Sequence, residues 1–195
     1  MTTVGGWQDQ AGGMYPGARL MIAGPGLHQR ISLQPGCWAE ERQSEFASLV
    51  VLYYTGIRRV VRDQLRQVVG RYLARETACP QVLHGIKTLA TEMAYTLEDG
   101  EWDRLGSLPG CHWELNQILD PNTTNTPINT PLEAVRPFIR GAKLAGAGGG
   151  FPILLARSPA AGLGIQMFLN HSAARTRGAR YDWHIAWEGL RAVRN

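Results

Sequence analysis

The fold turns on the stretch Ile139-Arg140-Gly141-Ala142-Lys143-Leu144-Ala145-Gly146-Ala147-Gly148-Gly149-Gly150-Phe151-Pro152-Ile153-Leu154-Leu155-Ala156. It predicts a strand over Ile139 to Ala145, a tight loop over Gly146 to Gly150, and a second strand over Phe151 to Ala156. The loop's small residues let a ligand approach the backbone with little Cβ in the way, and successive N–H groups can form an anion nest. It is not a Walker loop, because Lys143 precedes the glycines and no Gly-Lys-Ser/Thr follows. Nor is it the dinucleotide fingerprint, since a strand follows where a helix should open. On spacing alone, a plain hairpin turn and a phosphate contact both remain open.

Working outward, Leu132 to Phe138 reads as a short helix, preceded by a polar loop over Asp120 to Pro131. Trp102 to Leu119 has helical periodicity, with a break or kink expected at Pro109-Gly110 because an internal proline costs ~3 kcal/mol. Pro80 to Leu97 is a helix with proline in its first turn. Arg58 to Arg75 is a basic amphipathic helix, and Phe46 to Tyr54 is a buried strand ending at Thr55-Gly56. Gln34 to Gln43 is a loop. Ala18 to Ile22 and Leu27 to Leu33 form a hairpin too small to stand alone. On the other side, Pro159 to Leu169 is a helix. Tyr181 to Trp187 alternates as a half-buried strand should. Strands interspersed with helices in this order predict an α+β fold.

The 195 residues suffice for a real core, and 44% are hydrophobic, which argues against disorder. The Phe46 to Tyr54 run is about half of the ~20 residues a bilayer span requires. The N-terminus has neither the basic region nor the apolar core of a targeting peptide. Cys37, Cys79 and Cys111 lack metal-type spacing, so a reduced, cytoplasmic protein is expected. Net charge is +4. The arginines of 58–75 read as the solvated back of a core helix rather than a nucleic-acid surface.

Two further segments bear chemistry. In Trp7-Gln8-Asp9-Gln10, a carboxylate among glutamines suits a general base or a sugar-hydroxyl acceptor. In Cys111-His112-Trp113-Glu114-Leu115-Asn116, no second histidine stands at helical spacing, so a hydrogen-bonded histidine is expected rather than a metal ligand. Cys37 and Cys111 have no visible catalytic partner.

Gly5-Gly6-Trp7-Gln8-Asp9-Gln10, Tyr54-Thr55-Gly56 with Arg59 and Arg62, His112 to Asn125, and Gly141-Ala142-Lys143-Leu144 before the glycine loop occur in this order. In this the chain resembles the GHMP sugar kinases, most closely the L-fucokinase branch, over nearly its whole length. The resemblance implies ATP-dependent phosphoryl transfer, with Mg2+, to the anomeric hydroxyl of L-fucose. It implies Asp9 as the catalytic aspartate, and Trp7, Gln10 and His112 in the sugar pocket. Lys143, Gly146, Ala147, Gly148, Gly149 and Gly150 would lie by the phosphates. No metal ligand is assigned, and neither nucleic acid nor membrane is an expected partner. The implied fold is a GHMP C-terminal domain over 44–195, a mixed sheet packed by helices. Residues 1–35 would be a small β remnant of the N-terminal domain.

The sequence also departs from that family. The Gly/Ser-rich nucleotide loop expected well upstream of the catalytic aspartate is missing, since eight residues precede Asp9. The glycine loop is one residue short before Phe151, Val4 replaces a glycine, and Pro109-Gly110 interrupts a segment that relatives keep helical. These departures predict a truncated chain lacking the main ATP cradle, with the missing N-terminal half as a partner. The rival readings are a kinase for another sugar, such as a heptose phosphate, and a non-catalytic sugar- or partner-binding fragment.

Overall fold

A computed structural model describes residues 7–26, 28, 30–36, 38–57, 61–145, 150–176 and 178–191. Within it, β3 (Val50–Tyr54) is an inner strand with three buried residues. It pairs antiparallel with β5 (Phe151–Ala156) on one side and with β6 (Ala179–Tyr181) on the other. Beyond β5 lies β4 (Ile139–Ala145), so the sheet order is β4-β5-β3-β6. The α+β class stands. The sheet inside it is antiparallel in every described pairing rather than mixed.

Helices cover both faces. Val51 and Tyr53 of β3 and Leu154 and Ala156 of β5 pack on Val135 of α6 (Thr126–Val135) and on Ile165 and Leu169 of α7 (Pro159–Thr176). The alternate residues, Val50 and Leu155, meet Leu49 of α2 (Glu40–Leu49) and Trp102 and Leu105 of α5 (Trp102–Leu119). Burial on both faces explains why β3 reads as a continuous apolar run. A third cluster, Cys79, Val82 and Leu119, joins α4 (Ala78–Asp99) to α5 and to Val68 of α3 (Val61–Leu73). Residues 58–60 of the expected arginine helix lie outside the described residues.

At the N-terminus, α1 (Gln8–Met14) precedes the antiparallel hairpin of β1 (Arg19–Ala23) and β2 (Ile31–Pro35). The hairpin forms as expected, though its second strand starts later. Phe46 bridges this end to the main body. Its ring meets Trp38 edge-on at 5.3 Å, Trp102 at 5.8 Å and Trp183 at 5.9 Å.

Four expectations are corrected. Phe46 to Leu49 is the last turn of α2, so the apolar run is shared between a helix and a strand, which periodicity cannot divide. The expected polar loop holds a 3₁₀ turn at Pro121–Thr123 and then α6. Asn125 caps α6 by accepting the Ile128 N–H at 3.0 Å on its side-chain oxygen. Helix α5 runs unbroken through Pro109. Burial of Trp102, Leu105, Leu108 and Leu119 outweighs one lost hydrogen bond, since each large apolar side chain contributes ~1.5–3 kcal/mol. Finally, β6 stops at Tyr181. Continuing its register would set Trp183 opposite Val50, but the Trp183 indole N–H takes the Val50 carbonyl at 3.2 Å instead.

Candidate functional site

The site is built where α5 lies against β4. Gly106 and Gly141 meet there so closely that a Cβ on Gly141 would fall on the Gly106 carbonyl, and one on Gly106 would strike Arg140. An ion pair from Arg140 Nε to Asp103 Oδ1 at 2.6 Å fastens the same contact. Ala142 turns into the core under α7, so Gly141 and Lys143 face the α5 side by strand alternation. Farther along both elements, Lys143 stands near enough to His112 to act on its charge. Burial first, and the Lys143 ammonium second, push the His112 pKa down to about 4. Burial also lowers the Lys143 pKa. Among the described residues, no carboxylate pairs with Lys143. An uncompensated, partly buried cation is costly unless something anionic joins it.

His112 is a hydrogen-bonded histidine, as expected. Its Nδ1 lies 3.0 Å from the Asn116 side-chain amide nitrogen. The end of α5 is closed by the turn that follows, where the Asp120 N–H donates to the Asn116 carbonyl at 2.9 Å. Buried Asp120 accepts the Asn122 N–H at 2.9 Å, which makes it a capping carboxylate.

Gly146, Ala147, Gly148 and Gly149 lie outside the described residues. Gly150, which ends the loop, is tied to β3: its carbonyl accepts the Thr55 N–H at 2.8 Å and the Thr55 hydroxyl at 3.2 Å. The Thr55 oxygen in turn accepts the Ile57 N–H at 3.2 Å, across Gly56 at φ 79°. The glycine loop is therefore pinned at its far end by the Thr55-Gly56 turn. The sequence marks Thr55-Gly56 as the end of the strand, but not its bond to Gly150; a buried threonine followed by glycine at a strand end is the signal it carries.

The other candidates stand apart. Asp9 and Gln10 are exposed in the first turn of α1, and Trp7 is partly buried just before it. Long-range backbone bonds tie this segment to the C-terminal stretch, Gly17 N–H to Ala186 O at 2.7 Å and Leu190 N–H to Met14 O at 3.2 Å. Among the described residues, no hydrogen bond or ion pair joins Trp7, Asp9 or Gln10 to His112, Lys143 or Gly150. The structure thus unites His112 with Lys143 and leaves the α1 group exposed beside the C-terminal stretch. A cleft of about 260 Å³ by Glu92, Tyr95 and Arg104 contains none of these residues. Among the described residues, no three His, Cys, Asp or Glu side chains are placed to hold a metal, and no helix is long and apolar enough to cross a membrane.

Comparison with known proteins fits this arrangement. No protein-family model matches the chain. It is 35% identical over 158 residues to a bifunctional fucokinase/GDP-fucose pyrophosphorylase of Arabidopsis thaliana, covering 80% of this chain and 15% of that protein. It is 28% identical over 199 positions to an L-fucokinase/L-fucose-1-P guanylyltransferase of Bacteroides fragilis, covering 100% of this chain and 21% of that protein. The chain therefore spans about a fifth or less of these curated relatives. Its fold matches a D-glycero-D-manno-heptose 1-phosphate kinase of Bacteroides thetaiotaomicron with TM-score 0.66 at 18% identity, covering 95% of this chain and 47% of that one. The sequence likeness to fucokinases and the fold shared with sugar kinases agree, and the chain is similar to the GHMP sugar kinases, in sequence to their fucokinase branch.

Proposed function

We propose that this chain supplies the sugar- and phosphate-facing part of a fucokinase-like phosphotransferase, acting with ATP and Mg2+ on the anomeric hydroxyl of L-fucose. The observation that carries the reading is Lys143: a partly buried cation, without a carboxylate partner among the described residues, three residues before a glycine loop. Such a site suits a phosphoryl group, because the anion compensates the buried charge and backbone N–H groups complete its shell. Transfer would form a bond from the sugar's anomeric oxygen to the γ-phosphorus and break the bond to the β-phosphate oxygen, releasing ADP. The hydroxyl proton would pass to Asp9 or through it to water. The loose transition state of such reactions leaves aiming the nucleophile as the carboxylate's main task.

The described residues offer no metal cage, so Mg2+ would be held mainly by the nucleotide's phosphates, as is common for that ion. Residues 1–35 would be the edge of the N-terminal domain, and 44–195 the C-terminal domain. The Gly/Ser-rich cradle is not among these residues, so we expect the 195-residue chain alone to phosphorylate fucose at no useful rate.

The test is a coupled ADP-release assay on the chain alone and on the chain joined to the N-terminal part of a relative. The joined protein should phosphorylate L-fucose and lose about tenfold or more of its ATP affinity in Lys143→Met, the scale of one charge-assisted contact. A heptose phosphate outcompeting L-fucose in the same assay would replace the substrate assignment. Fucose binding without ATP binding or turnover in the joined protein would favour a non-catalytic module.

A further inference from the structure

We infer that Asn116 is a positioning residue that holds His112 as the Nε2–H tautomer beside Lys143, making a donor-only pocket for an anionic phosphoryl oxygen. The inference rests on the kinase reading only for the identity of the anion.

The argument begins with geometry. The Asn116 amide nitrogen has protons to give and no lone pair to accept with, so at 3.0 Å from His112 Nδ1 it must donate. That bond occupies the Nδ1 lone pair and leaves the ring's single proton on Nε2. Asn116 is itself fixed. It lies one turn after His112 on α5, and its carbonyl is engaged by the Asp120 N–H and by the Thr123 hydroxyl at 3.2 Å.

Charge enforces the same state. The neighbour that acts on His112 electrostatically is Lys143, which opposes a second positive charge. Neither acid of α5 relieves it: Asp103 is engaged by Arg140, and Glu114 is exposed. A neutral imidazole and an ammonium then offer N–H groups and no acceptor on the pocket side. A hydroxyl would leave its own proton unanswered by these two groups, whereas a phosphoryl oxygen only accepts. The two residues are on rigid elements locked by the Gly106–Gly141 contact, which suits a pocket whose donors must be in place before charge arrives.

Two sources could deliver such an oxygen, the γ-phosphate of the nucleotide and the phosphate of the sugar product. The test is 15N NMR of the histidine rings in the intact chain at pH 7, with inorganic phosphate, ATP, L-fucose 1-phosphate and L-fucose added in separate arms. We expect His112 to carry its proton on Nε2. Asn116→Asp should move the proton to Nδ1, because a carboxylate accepts. Asn116→Ala, which removes the bond without adding charge, should leave a mixture of tautomers. The three phosphate ligands should shift the Nε2 signal, with apparent affinity falling about tenfold or more in Lys143→Met. His112→Gln, which keeps a donor near the Nε2 position, should retain phosphate affinity better than His112→Asn.

A wild-type proton on Nδ1, or a tautomer unmoved in both Asn116 variants, overturns the inference. So does a response to L-fucose with none to the phosphates, which would assign the donor to a sugar hydroxyl. An intact tautomer effect and phosphate response in a joined protein without kinase activity would remove the proposed function and leave this inference standing.

Discussion

The α1–hairpin end and the α5–β4 seam carry the two halves of the candidate site in opposite ways. Among the described residues from 7 to 35 only Ala11 is buried, Ile22 and Ile31 of the hairpin lie open, and the Asp9 carboxylate is exposed. At the seam, two glycines let a helix and a strand approach until their backbones touch, and the polar groups of His112, Asn116 and Asp120 are each engaged. A group that must meet a charged, transient phosphoryl centre benefits from a rigid mount. A carboxylate that aims a hydroxyl needs only to reach it. The contrast teaches that stability and reactivity are separable here: changes at α1 should fall on turnover, and changes at the seam on folding.

The sharpest break of that contrast is Asp9→Asn. In the chain joined to the N-terminal part of a relative, it should lower kcat by about 10²–10⁴-fold, the range for loss of a general base. Its melting temperature should stay within a degree or two, since an exposed side chain without a partner among the described residues is replaced by its isostere. Comparable losses in kcat and stability would show that Asp9 is structural. Gly141→Ala should do the reverse. Its methyl must displace the Gly106 carbonyl, and overpacking of this kind costs roughly 1–3 kcal/mol, read as a shifted urea midpoint. An unchanged midpoint would mean that the seam yields.

A subtler probe is pH. The folded His112 has its pKa lowered from 6.5 to about 4, so the unfolded chain binds more protons between those values. The stability contributed by the neutral ring is complete above about pH 6.5 and is lost as pH falls toward 4. Melting curves over that window should slope less steeply in His112→Gln than in wild type, and equal slopes would place the proton elsewhere. The smallest effect belongs to Gly13→Ala in α1. Nothing lies within 4 Å of the new methyl, so helix propensity alone should stabilise by about 0.5–1 kcal/mol. A destabilised Gly13→Ala would reveal a tight contact at the loose end.

Much of this was legible in the chain. The strands Ile139–Ala145 and Phe151–Ala156 fall where hydrophobic runs around a glycine loop place them. The longest helix needs only its stripe and its first-turn proline to be found. The errors share a cause: local rules were outweighed by partners distant in sequence. Pro109 sits in an intact helix because Trp102 and Leu105 of that helix are buried against Val50 of β3 and Leu155 of β5. The strand expected over Tyr181 to Trp187 loses its ladder because one indole reaches Val50, 133 residues away. The start of α6 is marked in the sequence, since Asn125 before Thr126-Pro127 is a helix-opening signal.

The site divides in the same manner. Residue order and type determined, without coordinates, that the fold is α+β, that a carboxylate opens the chain among glutamines, and that a lysine precedes five small residues. These follow from periodicity and composition, which are local. Only the tertiary structure decided that Lys143 stands near His112, that the Asn116 amide meets the histidine's Nδ1, and that Thr55 binds Gly150 at the far end of the glycine loop. Hydrogen bonds and Coulomb forces act across a few ångströms of space, and only the packed seam of α5 on β4 turns a separation of 31 residues into such a distance.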